Sequence, residues 1–437
     1  MKIVALNGLL GYGYSEEALN AAFLEKVDYL GVDAGSTDPG PYYLGSGKSF
    51  TDRGAVKRDL SLALPKALEH KAPFIIGTAG GAGSKKHVSW LKDIILEVAK
   101  EKKLKFTIGT VLSDVSTEYV LDKLESGKLI DMSSEFPANR SNIKESSRIV
   151  SQIGIAPIIE LLKKDVDVII CGRACDTAIY AAPCIYEGYK EGLAFHMAKI
   201  MECGAMCSEP VAAADVMQAY MYDDYFELCP ANSNRRCTVD RVAAHTLYEQ
   251  SNPYLIFEPD GVCDLTNSKF TQVDDRTVRV SGSAFREAEE KNLKLEGVRC
   301  AGYRTICPAT IYDPKTIENF DFIIDTVTEF VKENTKETMS DDSYKIFFKT
   351  SGGKESSMGV IIDVIGKTQE IADTVCALVR SRMLHCDYNG RKSSAGNLAF
   401  PFSPSDIHVG EVYEFSVFHL AKVDSLMETA EILIEEV

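Results

Sequence analysis

The sequence predicts an α/β protein with a predominantly parallel sheet covered by helices on both faces, followed by a small C-terminal α+β module. Three observations predict this fold. Short continuous apolar runs recur in the first half of the chain, a polar or glycine-rich turn follows each run, and a helical pattern usually comes next. Apolar runs without alternation are typical of strands buried on both sides, as in parallel sheets.

The first domain is predicted to begin at the N-terminus. Its predicted parallel strands are residues 2–6, 27–33, 73–77, 105–112 and 166–171. From about residue 210 the pattern changes, and alternation with turn pairs between 216–228 and 275–285 indicates β structure around a helix at 237–250. Residues 320–334 carry the apolar stripe of a helix. We therefore predict one α/β domain over residues 1–335, with a subdomain from about residue 210.

A second domain is predicted after the polar stretch 336–343, which is typical of a linker. Two apolar runs, a long helix from Thr368 to about Cys386, and a last strand pattern at 411–423 follow it. This order of elements predicts a separate α+β module over residues 344–437.

Composition and charge restrict the classes of function. The chain of 437 residues has a formal net charge of −16, which argues against a general nucleic-acid-binding surface. It has no apolar stretch long enough to span a membrane, and its N-terminal apolar run is too short for a secretion signal. We expect a cytoplasmic protein whose 12 cysteines are reduced thiols.

The candidate catalytic residues follow the predicted strands, because ligands of open α/β sheets bind outside the carboxyl ends of the strands. The stretch 166–183 ends a buried strand at Gly172 and then presents Arg173 and Asp176. Arginine binds carboxylates through paired hydrogen bonds, and carboxylates transfer protons. An ion pair between Arg173 and Asp176 with a purely structural role is the alternative. The predicted catalytic residues are Asp33, Glu135, Arg173 and Asp176.

Glycine-rich turns and one polar loop supply the candidate binding residues. Gly80, Gly81 and Gly83 precede a helix cap at Ser84, a position where free backbone N–H groups can bind an anion. The alternative is that these glycines only provide left-handed backbone. Similarly, the polar loop 389–408 is either a binding loop or a plain surface loop. The predicted substrate-binding residues are Gly11, Ser36, Thr37, Thr78, Gly80, Gly81, Arg391 and Asn397.

The sequence requires no metal. Cysteines occur in pairs four residues apart (171 and 175, 203 and 207) rather than in C-x-x-C spacing, and the histidines are scattered. We therefore predict no metal ligands and assign no cofactor. A divalent ion held by Asp33, Asp38 and Asp176 is compatible with the sequence but not required by it.

Several segments together resemble the acyclic terpene utilisation family, the AtuA-type proteins. The resemblance covers about residues 1–330, and the last ninety or so residues resemble the small ferredoxin-like module that accompanies the family. Residues 32–40 are longer and richer in Pro and Gly than the usual version, which implies a distinct substrate. The resemblance implies carboxylate or acyl-CoA catabolism, without an assigned reaction. The matching segments are 27–35, 75–81, 153–178, 197–205, 236–267 and 275–282.

Acidic loops beside an arginine suit abstraction of a proton next to a carbonyl or carboxylate group. We predict a hydratase/dehydratase-like lyase or an isomerase that acts on a small branched or dicarboxylic acid, free or as its CoA thioester. The alternative is a non-catalytic subunit that binds an acidic ligand or a small partner protein. As partners we expect the small acidic substrate and further copies of the chain in a homo-oligomer, and neither nucleic acid nor membrane.

Overall fold

The computed structural model describes residues 1–35, 39–340, 342–353 and 357–437. The chain forms two compact units, a larger one of Met1–Arg299 with Phe415–Val437 and a smaller one of Cys300–Glu414. Within the described residues, no helix is long and apolar enough to cross a membrane.

The strands, in chain order, are β1 (Lys2–Asn7), β2 (Tyr29–Val32), β3 (Phe74–Ile76), β4 (Thr107–Leu112), β5 (Leu129–Asp131), β6 (Arg148–Gln152), β7 (Val168–Cys171), β8 (Ser208–Glu209), β9 (Asp215–Met221), β10 (Tyr225–Pro230), β11 (Arg236–Cys237), β12 (Leu255–Glu258), β13 (Gly261–Asp264), β14 (Lys269–Gln272), β15 (Val278–Ser281), β16 (Ala284–Glu287), β17 (Asn292–Ile311), β18 (Tyr344–Gly353), β19 (Ser357–Gly366), β20 (Ile407–Lys422) and β21 (Glu431–Glu436).

The α-helices, in chain order, are α1 (Glu16–Ala22), α2 (Tyr42–Ser46), α3 (Arg53–His70), α4 (Lys85–Lys102), α5 (Thr117–Glu125), α6 (Arg140–Lys144), α7 (Ala156–Leu162), α8 (Ala178–Tyr186), α9 (Glu191–Met201), α10 (Val239–Thr246), α11 (Pro314–Glu318), α12 (Phe320–Thr335) and α13 (Gln369–His385). A short 3-10 helix covers Gly204–Cys207.

The main sheet of the larger unit has the strand order β14-β15-β10-β9-β1-β2-β3-β7-β4-β21. Its five central strands, β1, β2, β3, β7 and β4, are parallel. The strands on either side pair antiparallel. The prediction of a predominantly parallel sheet is therefore right only for the centre. Strands such as β9 and β10 follow each other through a tight turn, and such a connection can join only antiparallel neighbours.

Helices cover both faces of the parallel centre, because successive residues of a strand point to opposite sides. In β1, Ile3 and Ala5 belong to one hydrophobic core, which includes residues of α7, α8 and α9. Val4 and Leu6 belong to a second core, which includes residues of α1, α3 and α4. Continuous apolar sequence in these strands therefore reflects burial on both sides, as predicted.

The division of the chain differs from the predicted one. The predicted boundary at 335–344 lies inside the smaller unit, and the observed boundaries fall within β17 and β20. The C-terminal strand β21 pairs antiparallel with β4 in the main sheet of the larger unit. Local sequence pattern identifies these segments as strands but does not show where a long strand changes its neighbours.

The smaller unit has the element order strand, helices, strand, strand, helix, strand, from the second part of β17 to the first part of β20. Its strands lie in the order β18-β19-β17-β20. Its core contains Ile323 and Val327 of α12, Val375 and Val379 of α13, and Ile362 of β19. The alternation β-α-β-β-α-β is the element order of ferredoxin-like units.

Candidate active site

The carboxyl ends of the parallel strands open into a cavity of about 240 Å³. The turn after β1 contributes Gly8, β2 is followed by Asp33, and the turn after β7 contributes Asp176. Glu202 directly follows α9, and Glu249 lies after α10. The site is therefore in the position that the strand-end rule predicts.

The cavity combines acidic groups with apolar walls. Its ionisable lining residues among those described are carboxylic acids and one thiol: Asp33, Asp176, Glu202, Glu249 and Cys203. The remaining side chains that line it, apart from glycine, are apolar or aromatic: Leu9, Tyr12, Pro39, Phe50, Met206, Ala213 and Tyr248.

Asp33 is held in place by the backbone that follows it. Its Oδ1 accepts hydrogen bonds from the N–H of Ala34 at 2.8 Å and of Gly35 at 3.3 Å. Gly77 makes room for it, because a Cβ at that position would lie 2.9 Å from Asp33 Oδ1. Burial raises the pKa of Asp33 well above its usual range, and the negative charge of Asp176 adds to this effect. The surroundings of Asp33 therefore favour its protonated form over its charged form.

Asp176 is more exposed, with 35% of its side chain accessible. Burial raises its pKa, while Arg173 and Lys199 oppose that shift. Arg173 Nη1 lies 3.6 Å from Asp176 Oδ1. The pKa values of both Asp33 and Asp176 are thus raised by burial, and two neighbouring cations oppose the shift at Asp176.

Arg173 lies behind Asp176 and does not line the cavity. Its Nε donates to Glu296 Oε2 at 3.0 Å, and its Nη1 donates to Thr78 Oγ1 at 3.3 Å. Burial alone would raise the pKa of Glu296, but Arg173 and Lys294 lower it to about 2. The guanidinium is therefore engaged by a buried carboxylate, and the predicted direct contact with a substrate carboxylate stays a prediction.

Lys199 connects two further acids of the site. Its Nζ pairs with Glu202, and it lies 3.7 Å from Glu249 Oε2. Burial opposes the charge of Lys199, but Glu202 raises its pKa overall. Sequence reasoning missed these residues, although Lys199 and Glu202 are oppositely charged residues three apart at the end of a mostly apolar helix, which is a detectable signal.

A further carboxyl group contacts the two residues that flank Asp176 in the sequence. Glu258 Oε2 accepts hydrogen bonds from Thr177 Oγ1 at 2.7 Å and from Cys175 Sγ at 3.1 Å. Burial raises the pKa of Glu258 to about 7. Sequence reasoning missed Glu258 too, because it comes from the hairpin of β12 and β13, far along the chain.

The N–H groups of Gly81 and Gly83, in the glycine turn after β3, donate to carbonyl groups of the same turn. Gly81 N–H donates to Thr78 O at 3.3 Å, and Gly83 N–H donates to Ala79 O at 3.0 Å. At the start of α4, Lys85 N–H donates to Asp114 Oδ2 at 2.8 Å. All three glycines of the turn have positive φ, and a Cβ at Gly83 would lie 2.2 Å from Arg173 N. These glycines allow close backbone packing.

The other predicted site residues lie away from the described cavity lining. Gly11 N–H donates to Asp59 Oδ2 at 2.9 Å, and Glu135 is exposed between β5 and α6. In the smaller unit, Asn397 Nδ2 donates to two carbonyl groups and Arg391 Nη2 donates to Ala395 O at 2.7 Å. The predicted residues Ser36, Thr37 and Asp38 lie outside the described residues.

No group of three or more His, Cys, Asp or Glu side chains within the described ranges is arranged to hold a metal ion. The divalent ion that the sequence allows would be held by Asp33, Asp38 and Asp176. Because Asp38 lies outside the described residues, the structure does not test this set. Of the predicted catalytic residues, the structure brings Asp33 and Asp176 to the cavity and Arg173 behind them.

The fold and site define an α/β protein with an acidic cavity at the carboxyl ends of its parallel strands. Comparison with protein families matches residues 49–222 and 228–390 to the acyclic terpene utilisation family protein AtuA. The chain belongs to this family, as the sequence resemblance predicted. The family's name connects the chain with the catabolism of acyclic terpenes. Comparison with curated proteins gave no match, and comparison with solved structures gave none either.

Proposed function

We propose that the protein is a catabolic enzyme that transfers a proton at the carbon next to a carbonyl group, as a hydratase/dehydratase-type lyase or an isomerase. One observation carries this proposal. Asp33 and Asp176 face the same small cavity, and the charge of Asp176 contributes to the raised pKa of Asp33. Such a pair supplies a general acid and a general base at one pH.

The two carboxyl groups have distinct roles in this proposal. Asp176, which has Arg173 and Lys199 as neighbouring cations, is the carboxylate that accepts the proton from the α-carbon. The electron pair of the broken C–H bond forms the C=C bond, and the β-hydroxyl leaves as water with the proton of Asp33. In an isomerisation, the proton instead returns to a different carbon atom. Arg173 acts on Asp176 as a positioning residue, since Glu296 occupies its guanidinium.

The cavity favours a neutral carbonyl compound over a free carboxylate. Four acidic side chains and no basic side chain line its described part, so a free carboxylate would meet no cationic partner there and would be repelled by Asp176, the ionised member of the pair in this proposal. Its walls, including Tyr12, Phe50 and Tyr248, suit a small aliphatic chain. Of the two substrate forms predicted from the sequence, we therefore propose the thioester rather than the free acid.

Hydrogen exchange tests the proposal without knowledge of the final product. The wild-type protein is incubated in D₂O with a panel of short branched acyl-CoA thioesters, and deuterium at the α-carbon is followed by NMR. We expect wild-type exchange on at least one thioester and a loss of about 100-fold or more for Asp176→Asn.

Glu135→Gln is the matched control, because Glu135 was also a predicted catalytic residue but is exposed and outside the described cavity lining. It should exchange at the wild-type rate. Unchanged exchange in Asp176→Asn, or no exchange by the wild type on any thioester, contradicts the proposal. The second result supports the non-catalytic alternative.

A further inference from the structure

We propose that a basic patch of Lys48, Lys85, Lys86 and Arg148 binds a multiply charged phosphate group, which belongs to a nucleotide carrier of the substrate. The binding itself is independent of the chemistry at the cavity. Only the identity of the carrier rests on the proposed function.

The patch forms where the turn after α2 meets the start of α4. Lys85 and Lys86 are the first residues of α4 and are exposed. A Cβ placed on Gly47 would lie 2.7 Å from Lys86 Cδ and 3.5 Å from Arg148 Cζ, so both cations flank Gly47. Lys48 follows Gly47, and its carbonyl accepts a hydrogen bond from His87 Nε2 at 3.0 Å. Three segments of the larger unit therefore bring their cations together.

The cations are held in place and are not neutralised by ion pairs. Arg148 Nη1 donates to Leu44 O at 3.0 Å and also to Gly45 O. Among the described residues, none of the four cations forms an ion pair with a carboxylate within 4.0 Å. The nearby acid is Asp114, which accepts a hydrogen bond from Lys85 N–H at 2.8 Å. The carboxylate of Asp114 therefore offsets part of the positive charge of the four cations.

This charge distribution favours a phosphate-rich ligand. The chain has a net charge of −16, so its overall field repels anions and a local positive patch is the exception. Lysine and arginine side chains are the usual partners of phosphate oxygens, and a multiply charged anion can contact several of them at once. The N–H of Lys85, the first residue of α4, already donates to Asp114 Oδ2 at 2.8 Å, so we assign the phosphate contacts to the side chains of the patch.

The patch lies close to the acidic cavity. Lys48 is two residues before Phe50, which lines the cavity, and two residues of extended chain span at most about 7 Å. We infer that one molecule reaches both places, with a neutral acyl group in the acidic cavity and an anionic group at the patch. A thioester on a phosphorylated nucleotide carrier has both ends.

Isothermal titration calorimetry with pyrophosphate and with adenosine 3′,5′-bisphosphate tests the inference at low ionic strength. We expect saturable binding of both to the wild type, weakened at least tenfold in Lys48→Ala/Lys86→Ala, because two charge-assisted contacts are lost. Lys102→Ala/Lys105→Ala removes the same charge from exposed positions near the other end of α4 and should leave both affinities unchanged.

If pyrophosphate does not bind the wild type saturably, the proposed phosphate site is wrong. It is also wrong if the control variant Lys102→Ala/Lys105→Ala loses as much affinity as Lys48→Ala/Lys86→Ala. Binding of pyrophosphate without binding of the bisphosphate overturns the nucleotide carrier and assigns free phosphate as the ligand. Asp176→Asn should bind both probes like the wild type. A failure of the proposed proton transfer is therefore distinguishable from a failure of the patch.

Discussion

Replacing Arg173 by methionine removes the cation from a buried network. The guanidinium is 6% exposed and its partner Glu296 is 4% exposed, with Nε and Oε2 at 3.0 Å. The same guanidinium donates to the carbonyl of Ala174 at 3.2 Å and to Thr78 Oγ1 at 3.3 Å. After the substitution, Glu296 keeps Lys294 as its cation, at 2.7 Å.

The magnitude follows from the buried carboxylate. Removing one partner of a buried ion pair costs roughly 3–5 kcal/mol, and the remaining Lys294 places the expected loss near ~3 kcal/mol. The larger unit has about 320 residues, and an unfolding entropy of about 2.1 cal/mol/K per residue means that each kcal/mol lowers its melting temperature by about 1.5 °C. We therefore expect Arg173→Met to melt about 4–5 °C below the wild type, in addition to any loss of activity.

Thermal unfolding followed by far-UV circular dichroism measures this effect. Arg173→Met/Glu296→Leu should recover much of the stability, because the uncompensated charge is gone. Arg279→Met is the control, since the Arg279 pair with Glu227 is 41% exposed on the arginine side and should cost less than about 1 kcal/mol. A melting temperature of Arg173→Met within 2 °C of the wild type would refute the reasoning and return Arg173 to a direct ligand-binding role.

Three further predictions concern single positions. Burial raises the pKa of Glu258 to about 7 from an ordinary value of 4.5, so the folded protein should lose stability as pH rises from about 4.5 to 7, by at most about 3 kcal/mol from this group. The urea midpoint of Glu258→Gln should therefore change less with pH than that of the wild type, and an equal change in both proteins would contradict the prediction. Gly83→Ala should destabilise the protein by about 3 kcal/mol or more, because the added Cβ would lie 2.2 Å from Arg173 N and because the residue has a φ of +68°. A melting temperature equal to that of the wild type would contradict the close approach of Gly83 to Arg173. Asn397→Ala should cost about 1–3 kcal/mol, because the carbonyls of Met383 and Cys386 lose their donor, whereas a raised KM without loss of stability would restore the predicted binding role.

The position of the site could be predicted from the sequence because it depends on local order. Each central strand is an apolar run followed at once by the residues that turn away from the sheet, so Asp33 and Asp176 are assigned to strand ends by position alone. The carboxyl ends of parallel strands then meet at one edge whatever the strand order. The same argument does not bring Glu135 to this edge, because Glu135 follows the short strand β5, which pairs with β20 and does not belong to the parallel centre; its catalytic role stays a prediction.

The roles of individual residues could not be predicted in the same way. Arg173 and Asp176 are three apart in sequence, which suggested a catalytic pair, but Glu296 is 123 residues from Arg173 and takes its guanidinium. Gly80 and Gly81 matched an anion-binding turn, but the N–H groups of Gly81 and Gly83 donate to neighbouring carbonyl groups. Local pattern shows which groups are available and does not show which distant group binds them.

The sequence by itself determined the α/β class, the five parallel strands, the family, and the edge of the sheet that carries Asp33 and Asp176. The tertiary structure alone decided the antiparallel flanks, the limits of the two units, and the addition of Glu202, Glu249 and Glu258 to the neighbourhood of the site. The physical reason is the range of the interactions. Apolar periodicity and turn residues act over a few positions, whereas strand pairing, burial and the resulting pKa shifts depend on segments separated by a hundred residues or more.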